Sequence, residues 1–75
     1  MEVVVGGKYR HFKGAICEVL LLATHSETLE EMVVYKHNGK VWVRPYNLFV
    51  SLVDKKKYPN IKQKYRFELV DDLND

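Results

Sequence analysis

An Asn38-Gly39 pair in the middle of the chain constrains the fold more than any other feature. It separates two apolar-rich segments, residues 31–37 and 40–44. The favoured two-residue turn of a β-hairpin needs a positive φ at both central positions, which Asn tolerates and Gly adopts freely. The sequence therefore predicts a tight antiparallel hairpin at this point.

A two-residue turn also fixes which residues of the two strands face each other. The predicted cross-strand pairs are His37–Lys40, Lys36–Val41, Tyr35–Trp42 and Val34–Val43. Because side chains alternate along a strand, one face carries Met32, Val34, Val41 and Val43, and the other carries Val33, Tyr35, Trp42 and Arg44. The hairpin therefore predicts that Trp42 and Arg44 lie on one side of the sheet.

Three more strands are predicted from short apolar runs bounded by turn residues. They cover residues 8–12, residues 15–24 after a Lys13-Gly14 turn, and residues 64–70. The second strand has a core face of alternate apolar residues: Ala15, Cys17, Val19, Leu21 and Ala23. Leu20 and Leu22 fall on its other face, which needs a covering element or a second subunit.

Pro45 ends the hairpin, and residues 46–50 are predicted to form one helical turn with Leu48 and Phe49 pointing inward. A polar loop follows over residues 54–63. We predict an all-β fold, a small SH3-like barrel of about five strands with one short helical turn before the last strand. Pairing of the last strand with the first would cover exposed edges. An open five-stranded meander is the alternative.

The chain has 75 residues, which indicates one domain over residues 1–75, with a core over 7–70 and an acidic tail over 71–75. Cys17 is the only cysteine, so no intrachain disulfide forms and a reducing cytoplasm is the expected setting. The longest apolar run, residues 19–23, is far shorter than the roughly 20 residues of a spanning helix. We expect neither a signal peptide nor a membrane anchor.

Three strings in this order resemble a bacterial family of short proteins, the domain of unknown function sixteen fifty-three. They are Gly7-Lys8-Tyr9-Arg10-His11-Phe12-Lys13-Gly14, His25-Ser26-Glu27-Thr28 and Trp42-Val43-Arg44-Pro45. The resemblance implies a small β fold and a bacterial, cytoplasmic protein, and it carries no known activity. The hairpin around Asn38-Gly39 is tighter than the longer loop common in that family.

A polar segment over residues 25–31 is the first candidate site, because binding groups are often presented on connections between strands. We predict that it lies near the indole of Trp42 and the guanidinium of Arg44, which suits a carboxylate or phosphate. The predicted binding residues are Tyr9, His25, Glu27, Thr28, Trp42, Arg44 and Tyr46. Of the aromatic residues, Tyr9, Trp42 and Tyr46 are predicted to reach solvent.

Structural explanations compete with this site. Ser26 and Thr28 have hydroxyls that suit local backbone hydrogen bonds in a turn. Arg44 has an alternative role in an internal salt bridge to Glu27, Glu30 or Glu31. A metal site is not predicted, because no second His or Cys stands at ligand spacing from His25.

The leading hypothesis is a non-enzymatic binding module that recognises a protein segment or a small anionic ligand, with no cofactor. The alternative is nucleic-acid binding through a basic segment. That segment contains Lys55, Lys56, Lys57, Lys62, Lys64 and Arg66. A small hydrolase or metal enzyme is a weaker hypothesis, because Cys17 falls on an apolar strand face and no catalytic motif is present. Both a monomer and a homodimer through Leu20 and Leu22 are considered.

Overall fold

A computed structural model describes residues 2–70. Its elements in chain order are β1 (Lys8–His11), β2 (Ile16–Thr24), β3 (Glu31–His37), β4 (Lys40–Pro45), α1 (Tyr46–Phe49) and β5 (Phe67–Leu69). The strands form one antiparallel sheet in the order β4-β3-β2-β1-β5. The predicted tail at residues 71–75 lies outside the described residues. Among residues 2–70, no helix is long and apolar enough to span a membrane.

Pairing of the last strand with the first decides between the two predicted architectures. β5 pairs with β1 through Tyr9–Leu69, Arg10–Glu68 and His11–Phe67. An open meander would leave these two strands at opposite edges of the sheet. The structure therefore confirms the small all-β fold of five strands, with one short helix before the last strand.

The hairpin forms in the predicted register. β3 and β4 pair through Tyr35–Trp42 and His37–Lys40, as the two-residue turn requires. Asn38 has a φ of 54° and Gly39 a φ of 78°. These are the positive φ values that the sequence predicts for the two central residues of the hairpin turn. Pro45, with a φ of −54°, then leads into the first turn of α1.

A β-bulge in β2 changes the predicted alternation. Val19 pairs with Tyr35 but Leu21 pairs with Val34, so Leu20 is an extra residue in the strand. Cys17 and Val19 are buried as predicted, whereas Leu21 is 49% exposed. Beyond the bulge, Leu22 pairs with the fully buried Val33 and shares its face. The prediction that Leu21 lies in the core is therefore wrong, whereas Leu20 and Leu22, each 36% exposed, reach solvent as predicted.

Aromatic rings fill the centre of the barrel. Phe49 of α1 stacks on Phe67 of β5 with ring centroids 4.1 Å apart, and Tyr9 meets the ring of Phe49 edge-on at 5.4 Å. Tyr35 packs against both phenylalanines from β3. Four aromatic residues from four different elements thus form the core that the short strands alone would lack.

Two side-chain orientations differ from the prediction. Leu48 is 48% exposed, because a helix of one turn presents only Phe49 to the core. Tyr9 is 1% exposed, so the prediction that it reaches solvent is wrong. Its ring lies among the core aromatics, and its hydroxyl accepts a hydrogen bond from the Val4 backbone N–H at 2.8 Å. The polar end of the tyrosine is therefore satisfied inside the protein.

Candidate functional site

The two edge strands of the sheet are joined by side chains rather than by backbone pairing. Within residues 2–70, no ladder connects β4 to β5. Arg44 of β4 lies over the ring of Phe67 of β5, with its Cζ atom 5.5 Å from the ring centroid. The barrel is thus open at this place, and a cation–π contact spans the gap.

An apolar cavity of about 280 Å³ opens beside this contact. It is lined by buried side chains, Cys17, Tyr35 and Phe67, and by Ala15 at the start of β2. Four basic side chains complete the lining: His11, Lys13, His37 and Arg44. The cavity therefore combines apolar residues with positive charge, an arrangement that suits an amphipathic anion.

A second, polar cavity of about 390 Å³ shares three of those side chains. The shared residues, here called the basic wall, are His11, Lys13 and Arg44. The polar cavity adds two further cations, Lys57 and Arg66, and one carboxylate, Asp54. Lys13 and Lys57 both lie over the ring of Tyr58, at 5.4 and 5.7 Å from its centroid.

The guanidinium groups of Arg44 and Arg66 lack the partners that half-buried arginines usually have. The Nε atoms of both are buried, and neither donates a hydrogen bond to a protein acceptor within the described residues. Across residues 2–70 the single ion pair joins Lys8 and Glu18 on the surface. Arg44 therefore makes no salt bridge to Glu27, Glu30 or Glu31, and that predicted alternative is wrong.

Burial and nearby positive charge both act on the imidazole of His11. Burial lowers the pKa of the His11 imidazole, and the nearby Arg44, Arg66, Lys13 and His37 lower it further. Nδ1 of His11 accepts the backbone N–H of Lys13 at 3.1 Å, which fixes the ring orientation. The imidazole therefore remains neutral at pH 7, and a bound anion would favour its protonation.

The predicted polar segment at residues 25–31 has a structural role of its own. Nδ1 of His25 accepts the backbone N–H groups of Glu27 and Thr28, both at 3.2 Å. The Thr28 hydroxyl accepts the N–H of Glu30 at 3.2 Å, as the structural explanation predicts. Leu29 has a positive φ of 64° in the same turn. The imidazole of His25 thus caps a tight connection between β2 and β3.

The structure does not bring this turn together with the exposed indole. Trp42 pairs with Tyr35, four residues along β3 from Glu31, a distance of about 13 Å along the strand. Its Nε1 donates to the carbonyl of His37 at 3.3 Å, toward the Asn38-Gly39 end. Trp42 is 46% exposed, which confirms the prediction that it reaches solvent. Tyr46 is half-buried, and its hydroxyl accepts the N–H of Val3 at 3.1 Å.

The basic segment divides into structural and cavity-lining residues. Nζ of Lys55 donates to the carbonyls of Ile61 and Gln63, so this lysine holds its own loop together. Lys57 and Arg66 line the polar cavity, whereas Lys56, Lys62 and Lys64 are exposed. Asp54 closes the start of the loop by accepting the backbone N–H groups of Lys56 and Lys57.

Sequence reasoning identified Arg44 but missed His11 and Lys13. The signal lies in the strand period, because His11 stands two residues from Tyr9 on the face of β1 that points inward. Two of the three strings that carried the family resemblance supply the basic wall, His11 and Lys13 from the first and Arg44 from the third. Their meeting at the same cavities depends on the fold and cannot be predicted from either string alone.

Comparison with family models decides the relationship. The model described as "Protein of unknown function (DUF1653)" matches residues 7–69, from the residue before β1 to the end of β5. The chain belongs to this family. The DUF1653 match covers all five strands and both cavities, so the site described above lies inside the family's domain. Neither the comparison with curated proteins nor that with solved structures gives a match.

A metal centre has no support in the same region. Among the described residues, no group of three or more His, Cys, Asp or Glu side chains is arranged to hold a metal ion. Cys17, which lines the apolar cavity, is 5% exposed, and burial raises the pKa of its thiol to about 11. The thiol is therefore protonated at neutral pH, and only the thiolate is a good nucleophile or metal ligand.

Proposed function

We propose that this DUF1653 chain is a non-enzymatic binding module that holds the anionic group of a ligand at the basic wall. The observation that carries the proposal is the half-buried guanidinium of Arg44, which lines both cavities with its Nε unpaired. A buried donor without an acceptor costs about 1–3 kcal/mol. A carboxylate or phosphate supplies that acceptor.

Arginine suits this role because its planar fork of N–H donors matches the oxygens of a carboxylate or phosphate. Hydrogen bonds to charged partners are worth about 1.5–3 kcal/mol each. Lys13 stands on the same wall, and Arg66 is a second half-buried guanidinium with an unpaired Nε. An anion bound between these side chains would therefore relieve both unpaired donors and like-charge repulsion.

A binding role is favoured over catalysis by the state of the side chains at the cavity. The thiol of Cys17 is held protonated by burial, since its pKa is raised to about 11. The charged groups of the basic wall, Lys13 and Arg44, are cations, which bind anions without needing to transfer a proton. We therefore assign no catalytic residue.

Isothermal titration with inorganic phosphate and with acetate at constant ionic strength tests the proposal. We expect saturable binding that Arg44→Met weakens at least tenfold, which corresponds to about 1.4 kcal/mol. Lys56→Met is the matched control, because Lys56 is exposed and lines neither cavity. No saturable binding of either anion, or equal losses in the two variants, would refute the proposed site.

Nucleic-acid binding is the second candidate, and it is favoured by the position of Lys57 and Arg66 in the polar cavity. Neutralising phosphates along a strand releases counterions, so the affinity would fall steeply with salt. The sequence pI of 8.7 is lower than is usual for basic nucleic-acid-binding domains. Retention on immobilised RNA that is lost above moderate salt, and weakened by Lys57→Met, would support this candidate.

A further inference from the structure

Two cavities of different character meet at the basic wall. His11, Lys13 and Arg44 line both the apolar cavity and the polar cavity. A ligand that uses both must carry an apolar body and an anionic group joined through a short connection. The shared wall thus restricts the class of ligand more than either cavity does alone.

The apolar cavity offers flat aromatic surface together with hydrogen-bonding groups. Phe67, Tyr35 and the imidazoles of His11 and His37 line it, and the rings of His11 and Phe67 meet edge-on with centroids 4.9 Å apart. Because Nδ1 of His11 accepts a hydrogen bond from Lys13, the proton of this ring lies on Nε2. Nδ1 of His37 lies 3.2 Å from the carbonyl oxygen of Ile16.

Both imidazoles line the cavity beside the aromatic rings, and their ring nitrogens can form hydrogen bonds. A hydrocarbon body in the cavity would make no use of these hydrogen-bonding groups. A flat heterocycle offers both acceptors and donors at its edge and apolar faces for stacking. The lining therefore favours a heterocycle over a phenyl or alkyl group.

The polar cavity carries more positive charge than one carboxylate needs. Lys13, Arg44, Lys57 and Arg66 contribute four full charges against the single carboxylate of Asp54. Oδ1 of Asp54 is already occupied by two backbone N–H groups. A phosphate monoester has a charge between about −1.5 and −2 at pH 7 and three acceptor oxygens. The balance of charge therefore favours a phosphate monoester over a carboxylate.

From this arrangement we infer that the ligand is a nucleoside monophosphate, with its base in the apolar cavity and its phosphate in the polar cavity. The inference rests on the proposed function, since both use Arg44. A free mononucleotide and the 5′-phosphorylated end of an RNA strand share this chemistry. The four positive charges of the polar cavity suit the higher negative charge of a terminal phosphate monoester rather than the singly charged diesters inside a strand.

Titration with adenosine 5′-monophosphate, inorganic phosphate and adenosine separates the contributions of the two cavities. Trp42, the only tryptophan, lies at the rim beside His37 and gives a fluorescence signal. At constant ionic strength we expect the nucleotide to bind at least tenfold more tightly than inorganic phosphate or adenosine. Ala15→Leu, which fills the apolar cavity, should abolish this preference and leave phosphate binding within twofold. His37→Leu is a second variant with the same expected direction.

The outcomes distinguish this inference from the proposed function. Equal affinity for the nucleotide and inorganic phosphate, with both weakened by Arg44→Met, would overturn the nucleoside assignment and leave the anion site standing. No binding of any anion would overturn both. A short RNA carrying a 5′-phosphate should bind at least tenfold more tightly than its 5′-hydroxyl form if strand ends are the source. If those two RNAs bind equally, and both bind more tightly than the free nucleotide, the assignment of a phosphate monoester as the ligand group would be overturned.

Discussion

Replacing Arg44 by methionine should make the protein more stable while it weakens anion binding. The guanidinium is half-buried with an unpaired Nε, and its neighbours His11, Lys13 and Arg66 are basic. Methionine keeps an apolar stem of similar reach against Phe67 but removes the unpaired donor and the charge. Stability and function are therefore expected to change in opposite directions at this residue.

The magnitude follows from two opposing contributions. Removal of an unpaired buried donor is worth about 1–3 kcal/mol. Loss of the cation–π contact over Phe67 costs about 0.5–1 kcal/mol at a partly exposed site. The expected net gain in the free energy of unfolding is about 1 kcal/mol. For a domain of this size, that gain raises Tm by about 4–8 °C.

Thermal and urea unfolding, followed by circular dichroism in phosphate-free buffer, give the measurement. Adding phosphate at ten times its Kd should stabilise the unmodified protein by about 1.4 kcal/mol and Arg44→Met by no more than about 0.4 kcal/mol. Lys56→Met serves as the control and should stay within about 0.5 kcal/mol in either buffer. A loss of more than about 1 kcal/mol for Arg44→Met in phosphate-free buffer would refute the reasoning, because it would mean that the guanidinium already has a stabilising partner.

Four further outcomes follow from the fold and the site. Gly39→Ala should cost about 1–2 kcal/mol in urea unfolding, because the φ of 78° is unfavourable for a residue with a Cβ even though nothing lies within 4 Å of it; an unchanged midpoint would contradict the turn assignment. Phe49→Ala should lower the free energy of unfolding by about 3–5 kcal/mol, which is comparable to the total stability of so small a domain. The backbone amide NMR signals of this variant should therefore lose the dispersion of a folded protein. A dispersed spectrum would show that the aromatic core is not centred on Phe49. Cys17 should react with a disulfide reagent at pH 8 only through unfolding, because burial raises its pKa to about 11; reaction at the rate of a small thiol would contradict its burial. The free energy of unfolding should fall as the pH drops below about 6.5, because the pKa of His11 is lowered in the folded protein and the unfolded chain takes up the proton first. His11→Gln should reduce the dependence of this free energy on pH. An equal pH dependence in the two proteins would show that His11 is not the group responsible.

Local turn chemistry predicted the hairpin in full. Asn38 and Gly39 need no tertiary contact to adopt positive φ, so their spacing fixes the β3–β4 register on its own. The alternation of apolar residues likewise predicted which side chains of β2 are buried as far as Val19. The bulge at Leu20 could not be predicted, because residues 19–23 are all apolar and no glycine or proline marks the extra residue.

The site was predicted only in part, because it depends on contacts between distant segments. Arg44 was identified from its place beside Trp42 in β4, but its neighbours come from β1 and from the segment before β5. Tyr9 was predicted at the surface, and only the packing of Phe49 and Phe67 against it shows that it is core. His25 looked functional, yet its imidazole satisfies two backbone N–H groups of its own turn.

An NMR titration of the ¹⁵N-labelled protein with inorganic phosphate distinguishes anion binding at the basic wall from binding elsewhere on the surface. We predict saturable shifts, described by one Kd, at the backbone amides of His11 and Lys13 and at the Nε–H signals of Arg44 and Arg66. Shifts confined to the exposed lysines of the 54–63 loop, to the His25 turn, or to no residue in particular would contradict the proposed site.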